Sequence, residues 1–415
     1  LHSFPTRRSS DLWCRLRDIC MMLAGKSKPA DQIKSEYFEG SYPCFGGNGI
    51  RGYVDEYNQD GTFSIVGRQG ALCGNINVAT GKFYATEHAV VTTLFVGIDF
   101  KWSNYILEAL RLNKYATGAA QPGLSVANIL NVFVPIPPTQ EQDRIGNNID
   151  KSLKIIEVIE QEKTDLQKNI ITAKSKILDL AIRGKLVPQA PNGEPASVLL
   201  ERIRAEKEKL ILQGKIKRDK KESVIFKGDD NSYYGISLPT GWSWTILKDI
   251  SFSISDGSHN PPSNKEFGVP LLSAANVNNN SILINNASRW ITNEEWEIEN
   301  QRTDIEIGDV LLTIVGSIGR SAVVETNEHF ALQRSVAVIK PCLISPFYLM
   351  RIFQAPQIQK WINDNSKGTA QKGIYLNALS IMTVPIPPLD EQLRIVKQIS
   401  IFFEQLDLIS SSLLC

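Results

Sequence analysis

Two short runs have residue types and spacings that suggest group-transfer chemistry. "FGGNG" (45–49) fits the FxGxG pattern of a loop that cradles S-adenosylmethionine, and "NPPS" (260–263) is close to the NPPY run that grips an extruded adenine during methylation. The chemistry argues against both. The second run needs an aromatic ring after the prolines to stack on the flipped base, and Ser263 stands there. The first is not followed by a clear helix, so the strand–loop–helix logic of a nucleotide loop fails. Both read better as turns. "GKS" (25–27) and "GKF" (81–83) lack the upstream Gly of a phosphate-binding loop. His88, His259 and His329 are isolated, and the six Cys form no CxxC pair. No structural zinc, no cofactor in this chain and no catalytic activity are therefore expected.

What remains is a set of polar side chains on loops beside β-prone runs. Arg68, Gln69 and Asn75 lie in "GRQGALCGN", with Arg51, Lys82 and His88 nearby in sequence. In the second half the corresponding group is Ser258, His259, Asn260, Ser317, Arg320, Gln333 and Arg334. Arg reads guanine, and Asn or Gln reads adenine, through paired hydrogen bonds in the major groove. Solvation is the bland alternative for each of them. The net charge of +1 gives no whole-chain sign of a nucleic-acid partner.

The elements that would carry these side chains occur twice. "VPIPPTQEQDRI" starts at Val134 and "VPIPPLDEQLRI" at Val384. Upstream, "TGAAQPGLSVANIL" (117–130) matches "KGTAQKGIYLNALS" (367–380), "IVGRQG" (65–70) echoes "IVGSIG" (314–319), and "WCRLRDI" (13–19) echoes "WTILKDI" (244–250). Four matches in one order imply an internal duplication. Each half is α+β. "TFSIVG", "FYA" and "AVVTTLFVG" read as strands in the first, and "DVLLTIVG", "SAVVE" and "SVAVIK" in the second. "GGNG" and "NQDG" have hairpin-turn chemistry. "NYILEALRL" and "PFYLMRIFQ" read as helices.

After each Pro-Pro turn the apolar period changes. Thr139 and Gln142 have capping-box spacing. Ile145, Ile149, Ile156, Ile159, Leu166, Ile170, Ile177 and Leu180 then follow a 4-3 spacing, interrupted by Ser152 and Lys163, until Gly184 and Pro188. Ile395, Ile399, Phe402, Leu406, Ile409 and Leu413 repeat it in the same register. This is a coiled-coil seam, and two seams in one chain pair most simply antiparallel. The first helix covers about 36 residues, roughly 54 Å. The second is shorter, so either the chain is cut or the seam pairs over part of its length.

The expected domains are 13–138, a helical spacer and linker at 139–238, 239–388, and a distal spacer helix at 389–415. The basic tract "QGKIKRDKKES" (213–223) reads as a solvated linker or a phosphate contact. Residues 1–12, "LHSFPTRRSSDL", read as a translated sequencing adapter and are set aside, so the natural start is expected to be missing. No apolar run approaches the ~18 residues that span a bilayer, and a reduced cytoplasmic setting is the default.

The duplicated "VPIPPxxEQxRI", the "GxAQxG" before each copy, and "AKSKILDLAIRGKLVPQAPNGEPASVLLERIRAEKEKL" (173–210) carry a resemblance. Together they resemble the specificity subunit of bacterial and archaeal type I restriction-modification systems, over residues 13–415. The resemblance implies two tandem target-recognition domains, each reading one half of a split, asymmetric site in double-stranded DNA. It implies two long helices in an antiparallel coiled coil that sets the gap, with internal pseudo-twofold symmetry. The implied partners are two modification (methyltransferase) subunits holding S-adenosylmethionine, and restriction subunits using ATP and Mg. No membrane partner is implied. A self-contained or fused adenine methyltransferase, and a coiled-coil adaptor without DNA, are the alternatives.

Overall fold

The computed structural model describes residues 12–70, 72–118, 122–190, 193–216, 218, 233–368 and 372–413. Residues 1–11 of the adapter-like segment, most of the basic tract, and Ala120, Gln121, Ala370 and Gln371 of the "GxAQxG" runs lie outside the described residues. The chain divides into two compact units, Leu1–Glu162 and Lys163–Cys415.

The first unit contains β1 (Leu12–Arg15), β2 (Cys20–Ala24), β3 (Tyr42–Gly46), β4 (Gly49–Val54), β5 (Gln59–Gly67), β6 (Ile76–Ala85) and β7 (Ala89–Leu94). Then come α1 (Phe100–Ala109), α2 (Val126–Ile129), β8 (Phe133–Ile136) and the start of α3 (Thr139–Ile182). The sheet order is β2-β7-β5-β6-β3-β4, and β1 pairs with β8 apart from it. Side chains alternate across a strand, so adjacent Ile65 and Val66 enter different cores. Ile65 joins Phe45, Phe83 and Val91. Val66 joins Leu16, Trp102, Leu112 and Val134. "NQDG" is not the expected hairpin turn, because Gln59–Gly61 already belong to β5. Asn58 instead bonds Ala85 twice, its Nδ2 donating at 2.9 Å and its Oδ1 accepting at 2.8 Å.

The second unit contains the end of α3, α4 (Ala196–Leu212), β9 (Ser243–Ile246), β10 (Ser251–Asp256), β11 (Val269–Leu272), β12 (Val277–Asn278), β13 (Ser281–Ile282) and β14 (Trp290–Ile291). α5 (Asn293–Thr303), β15 (Val310–Thr313), β16 (Ser321–Val323), β17 (Ala331–Leu332) and β18 (Val336–Pro341) follow. The unit closes with α6 (Pro346–Gln354), α7 (Pro356–Asp364), α8 (Leu376–Ser380), β19 (Thr383–Ile386) and α9 (Leu389–Ser412). Its sheets run β10-β18-β15-β16, β14-β11-β17, β12-β13 and β19-β9.

Backbone pairing superimposes the two units residue by residue. Trp13 faces Pro135 and Trp244 faces Pro385, so each "VPI" is a strand closing its unit onto the "W" strand. Gly67 faces Ala89 as Thr313 faces Val336. Phe45 runs parallel beside Ala85 as Leu272 does beside Leu332. Long β6 corresponds to β16 and β17 with an interruption between them. One expected match shifts. The Arg68 carbonyl accepts from Leu124 at 2.8 Å and that of Ile314 from Ile374 at 2.9 Å. "RQG" therefore lies on "IVG" (314–316), three places from the match of the letters. The shared "IVG" letters misled, because one falls inside a strand and the other just after it.

The Gln of each "EQ" explains why the Pro-Pro phrase recurs. Gln142 and Gln392 are fully buried. The Gln142 side chain accepts from the Asp99 amide at 2.8 Å and donates to the Pro137 carbonyl at 2.9 Å. Gln392 does the same with Ser345 and Pro387, at 3.0 and 3.1 Å. Asp99 and Ser345 are the N-caps of α1 and α6. One amide thus fastens three elements in each unit. The expected capping box at Thr139 is absent, since Thr139 donates to the Gly97 carbonyl and Gln142 is engaged elsewhere.

α3 is a single helix of 44 residues and α9 one of 24. They run antiparallel. Lys174 is ion-paired with Asp407, whereas Gln189, beyond the end of α3, donates to Glu391 at the start of α9 at 2.7 Å. Ile395 and Ile399 are buried with Leu178, Ala181 and Ile182, and Ile177 packs against them. Ile170 is also buried. Leu180, Phe402, Leu406 and Leu413 are half-buried. Ile156, Ile159, Leu166 and Ile409 are exposed, at 50%, 57%, 39% and 45%. The seam is therefore paired over only part of its length. At the other end of α3, Ile145 packs against the first unit's core and Ile149 is half-buried. Among the described residues no helix is long and apolar enough to cross a membrane.

The first turns of α3 are held by charge. Tyr105 donates to Asp150 at 2.5 Å and the Lys101 ammonium lies 2.6 Å from it. The Lys101 hydrogen bond, then that of Tyr105, holds the Asp150 carboxyl below its usual range, while the carboxylate pushes the Tyr105 hydroxyl up to about 12. A depressed folded-state pKa adds stability above the unfolded carboxylate value, about 4, that is lost as pH falls through the folded value. Asp150→Asn should therefore shrink the fall in melting temperature below about pH 4. An acid limb identical to that of the parent chain would refute the anchor.

Candidate nucleic-acid interface

In the first unit the candidate side chains gather where β5, β6 and β7 end. The loop from Gly67 to Asn75 closes on itself, with Gly67 and Gly74 amides donating to the Asn75 and Gly67 carbonyls at 2.9 and 2.8 Å. Arg68, half-exposed, donates its amide to the His88 carbonyl at 2.9 Å. Gln69 is exposed and bridges Gly123. The Asn75 side chain donates to Asn48 at 2.8 Å. Asn48 lies at the tip of the β3–β4 hairpin, so "FGGNG" is a strand–turn–strand and not a nucleotide loop. Arg51 is the bulged residue of that hairpin. Cys44 and Phe45 pair with Gly52 and Ile50, leaving Arg51 over, and a bulge re-aims a side chain. Lys82 does not join this group. It faces Asp60 in the ladder and its ammonium lies 4.6 Å above the Tyr57 ring.

In the second unit a cavity of about 450 Å³ is lined by Ser273, Ala274, Ala275, Val315, Gly316, Ser317 and Gln333–Ser335. Ser317 and Arg334 are exposed and Gln333 is half-exposed. Arg320 takes the place of Asn75, since Thr313 donates to its carbonyl as Gly67 does to that of Asn75. Its guanidinium donates to Asn278 at 3.2 Å. Ser258 is buried, and its backbone belongs to the framework of the cluster. It is 7% exposed, its amide donates to Leu332 at 2.7 Å, and its carbonyl accepts from Arg334 at 2.9 Å. His259 and Asn260, next in the chain, are exposed. "NPPS" is an irregular loop whose Pro262 carbonyl accepts from Arg289 at 2.7 Å.

Several residues missed in the sequence complete these clusters. Glu87 and His88 sit side by side, Nε2 to Oε1 3.4 Å, with the other carboxylate oxygen and Nδ1 buried and lacking partners among the described residues. Buried Asp256 holds His259 at 2.8 Å and is gripped by Arg302 of α5, whose Nε also donates to the Asp256 carbonyl at 2.9 Å. Lys26 occupies the place of Ser258, both amides donating to the matched carbonyls of Ala85 and Leu332. The spacing of the repeated phrases does not match Lys26 with Ser258 or Glu87 with Arg334; only the long-range backbone pairing does. Arg302→Ala leaves Asp256 buried without its cation and should cost about 1–2 kcal/mol, because the pair is half-solvated. Thermal melting measures it, and an unchanged midpoint would show that Arg302 is ornamental.

The model of the type I restriction modification DNA specificity domain matches the chain twice, at residues 13–168 and 246–413. The chain belongs to this family. Over 137 residues, 33% of this chain and 34% of its relative, it is 46% identical to the EcoprrI specificity subunit of Escherichia coli. It is 25% identical over 302 residues to the EcoBI specificity subunit of the same organism, covering 71% of this chain and 56% of that one. Less than two thirds of either relative is spanned. The HsdS subunit from Thermoanaerobacter tengcongensis has a similar fold, with a TM-score of 0.57 and 16% identity over 99% of this chain and 94% of that one. The tandem α+β units and the two long helices are thus the family's fold.

Proposed function

We propose that this specificity-family chain reads a split, asymmetric site in double-stranded DNA, one half with each unit. The observation that carries this reading is two matched backbone frameworks bearing different side chains at matched positions. Gln69, Asn75 and His88 occupy the places of Val315, Arg320 and Ser335. An equal framework with unequal donors and acceptors suits two different base words. α3 and α9 set the gap between the half-sites. The chain recruits two modification subunits, which hold S-adenosylmethionine and methylate adenine, and restriction subunits, which use ATP and Mg. It has no catalytic activity of its own, and it acts in the cytoplasm.

The test is duplex retention on the chain co-purified with its modification subunits, alongside S-adenosylmethionine binding to the chain alone. Retention of one duplex but not its scrambled version, with no cofactor bound by the isolated chain, is expected. Cofactor binding by the isolated chain supports a self-contained methyltransferase instead. Retention of neither duplex supports an adaptor without DNA.

A further inference from the structure

Glu87 and Arg334 occupy one structural position. Thr86 and Gln333 donate their amides to Phe45 and Leu272 at 3.0 and 2.9 Å. His88 and Ser335 accept from Arg68 and Ile314, both at 2.9 Å. Ala89 and Val336 donate back to Thr86 and Gln333 at 2.9 and 3.1 Å. With both neighbours matched, the residues between them match too. One is an anion and the other a cation, each on the loop that anchors the strand-end cluster of its unit.

A carboxylate is an acceptor only and a guanidinium a donor only. Glu87 cannot bind a phosphate, so in a DNA interface its productive partner is a donor on a base. The major groove offers two, the exocyclic amines of cytosine and adenine. Among the described residues, one Glu87 oxygen and the His88 Nδ1 are buried without a hydrogen-bond partner. Such an arrangement costs free energy until a donor arrives. Exposed Arg334 has the complementary preference, for the O6 and N7 of guanine.

We propose that positions 87 and 334 are equivalent specificity determinants of opposite chemistry. Glu87 accepts from an exocyclic amine in one half-site, and Arg334 donates to a guanine in the other. This rests on the DNA-reading function proposed above. The experiment is to map methylated sites for complexes carrying wild-type chain, Glu87→Ala or Arg334→Ala, each with its modification subunits.

Glu87→Ala should relax one position of one half-site, where the wild type requires cytosine or adenine on one strand, and the mapped base tells which. Arg334→Ala should relax a guanine in the other half-site. Discrimination at each should fall about tenfold or more, the worth of a good bidentate contact. The unaltered half-site serves as the internal control for folding. If an Ala variant fails to assemble, Glu87→Met and Arg334→Met, which keep the side-chain bulk without a hydrogen-bonding end, carry the same test. A wild-type split motif left intact at every position by these substitutions overturns the proposal alone. A wild-type complex that modifies no split motif overturns the DNA-reading function with it.

Discussion

Exchanging residues 13–134 for the matching unit of another family member is expected to replace one half of the DNA target and leave the other half unchanged. The cut points favour a clean exchange. Val134 pairs with Cys14 in a two-stranded ladder set apart from the main sheet. The retained Gln142 recognises only backbone on the incoming side, the amide of Asp99. Any donor unit with a helix N-terminus at that place can satisfy it. Each wrong base pair costs about 1–3 kcal/mol, roughly additively, so a half-site of a few bases should lose all detectable recognition of the old word. Methylation mapping gives the result. Changes in both half-sites would mean that the units do not read independently.

Gly257→Ala should be among the most destabilising single substitutions in the second unit, and Gly25→Ala its counterpart in the first. A Cβ on Gly257 would lie 2.1 Å from the Leu332 carbonyl oxygen, and one on Gly25 would lie 2.1 Å from that of Ala85. Both obstacles are backbone in buried strands, so neither can swing away. Overpacking of this kind costs about 3 kcal/mol or more. That corresponds to a melting midpoint lower by roughly 6–12 °C for a unit of this size. Gly46→Ala is the control, because its nearest neighbour is the Arg51 side chain at 3.6 Å. Equal midpoints for the Gly257 and Gly46 variants would contradict the packing described.

Much of this fold could be read from letters because the duplication wrote it twice. The "W" strand, the "VPI" strand and the helix after Pro-Pro are local, and their pairing in one half predicts that in the other. The spacer helices announced themselves through the seam, although Ile156 and Ile159 are exposed. The interface was less legible. Letters alone do not show that Ser258 is held between strands or that Lys82 lies over a tyrosine ring. Lys26, Glu87, Asp256 and Arg302 reach their clusters through long-range pairing, such as the Arg302–Asp256 contact across 46 positions. Nothing in the local pattern encodes that. The three-residue error in matching "IVG" has the same origin, since a strand end is fixed by its partner.

The most direct measurement is the methylated-adenine map of cells expressing the chain with its modification subunits. The predicted result is one asymmetric motif, interrupted by a gap of constant length and absent when the chain is omitted. An uninterrupted motif, or the same motif without the chain, would contradict reading by two units.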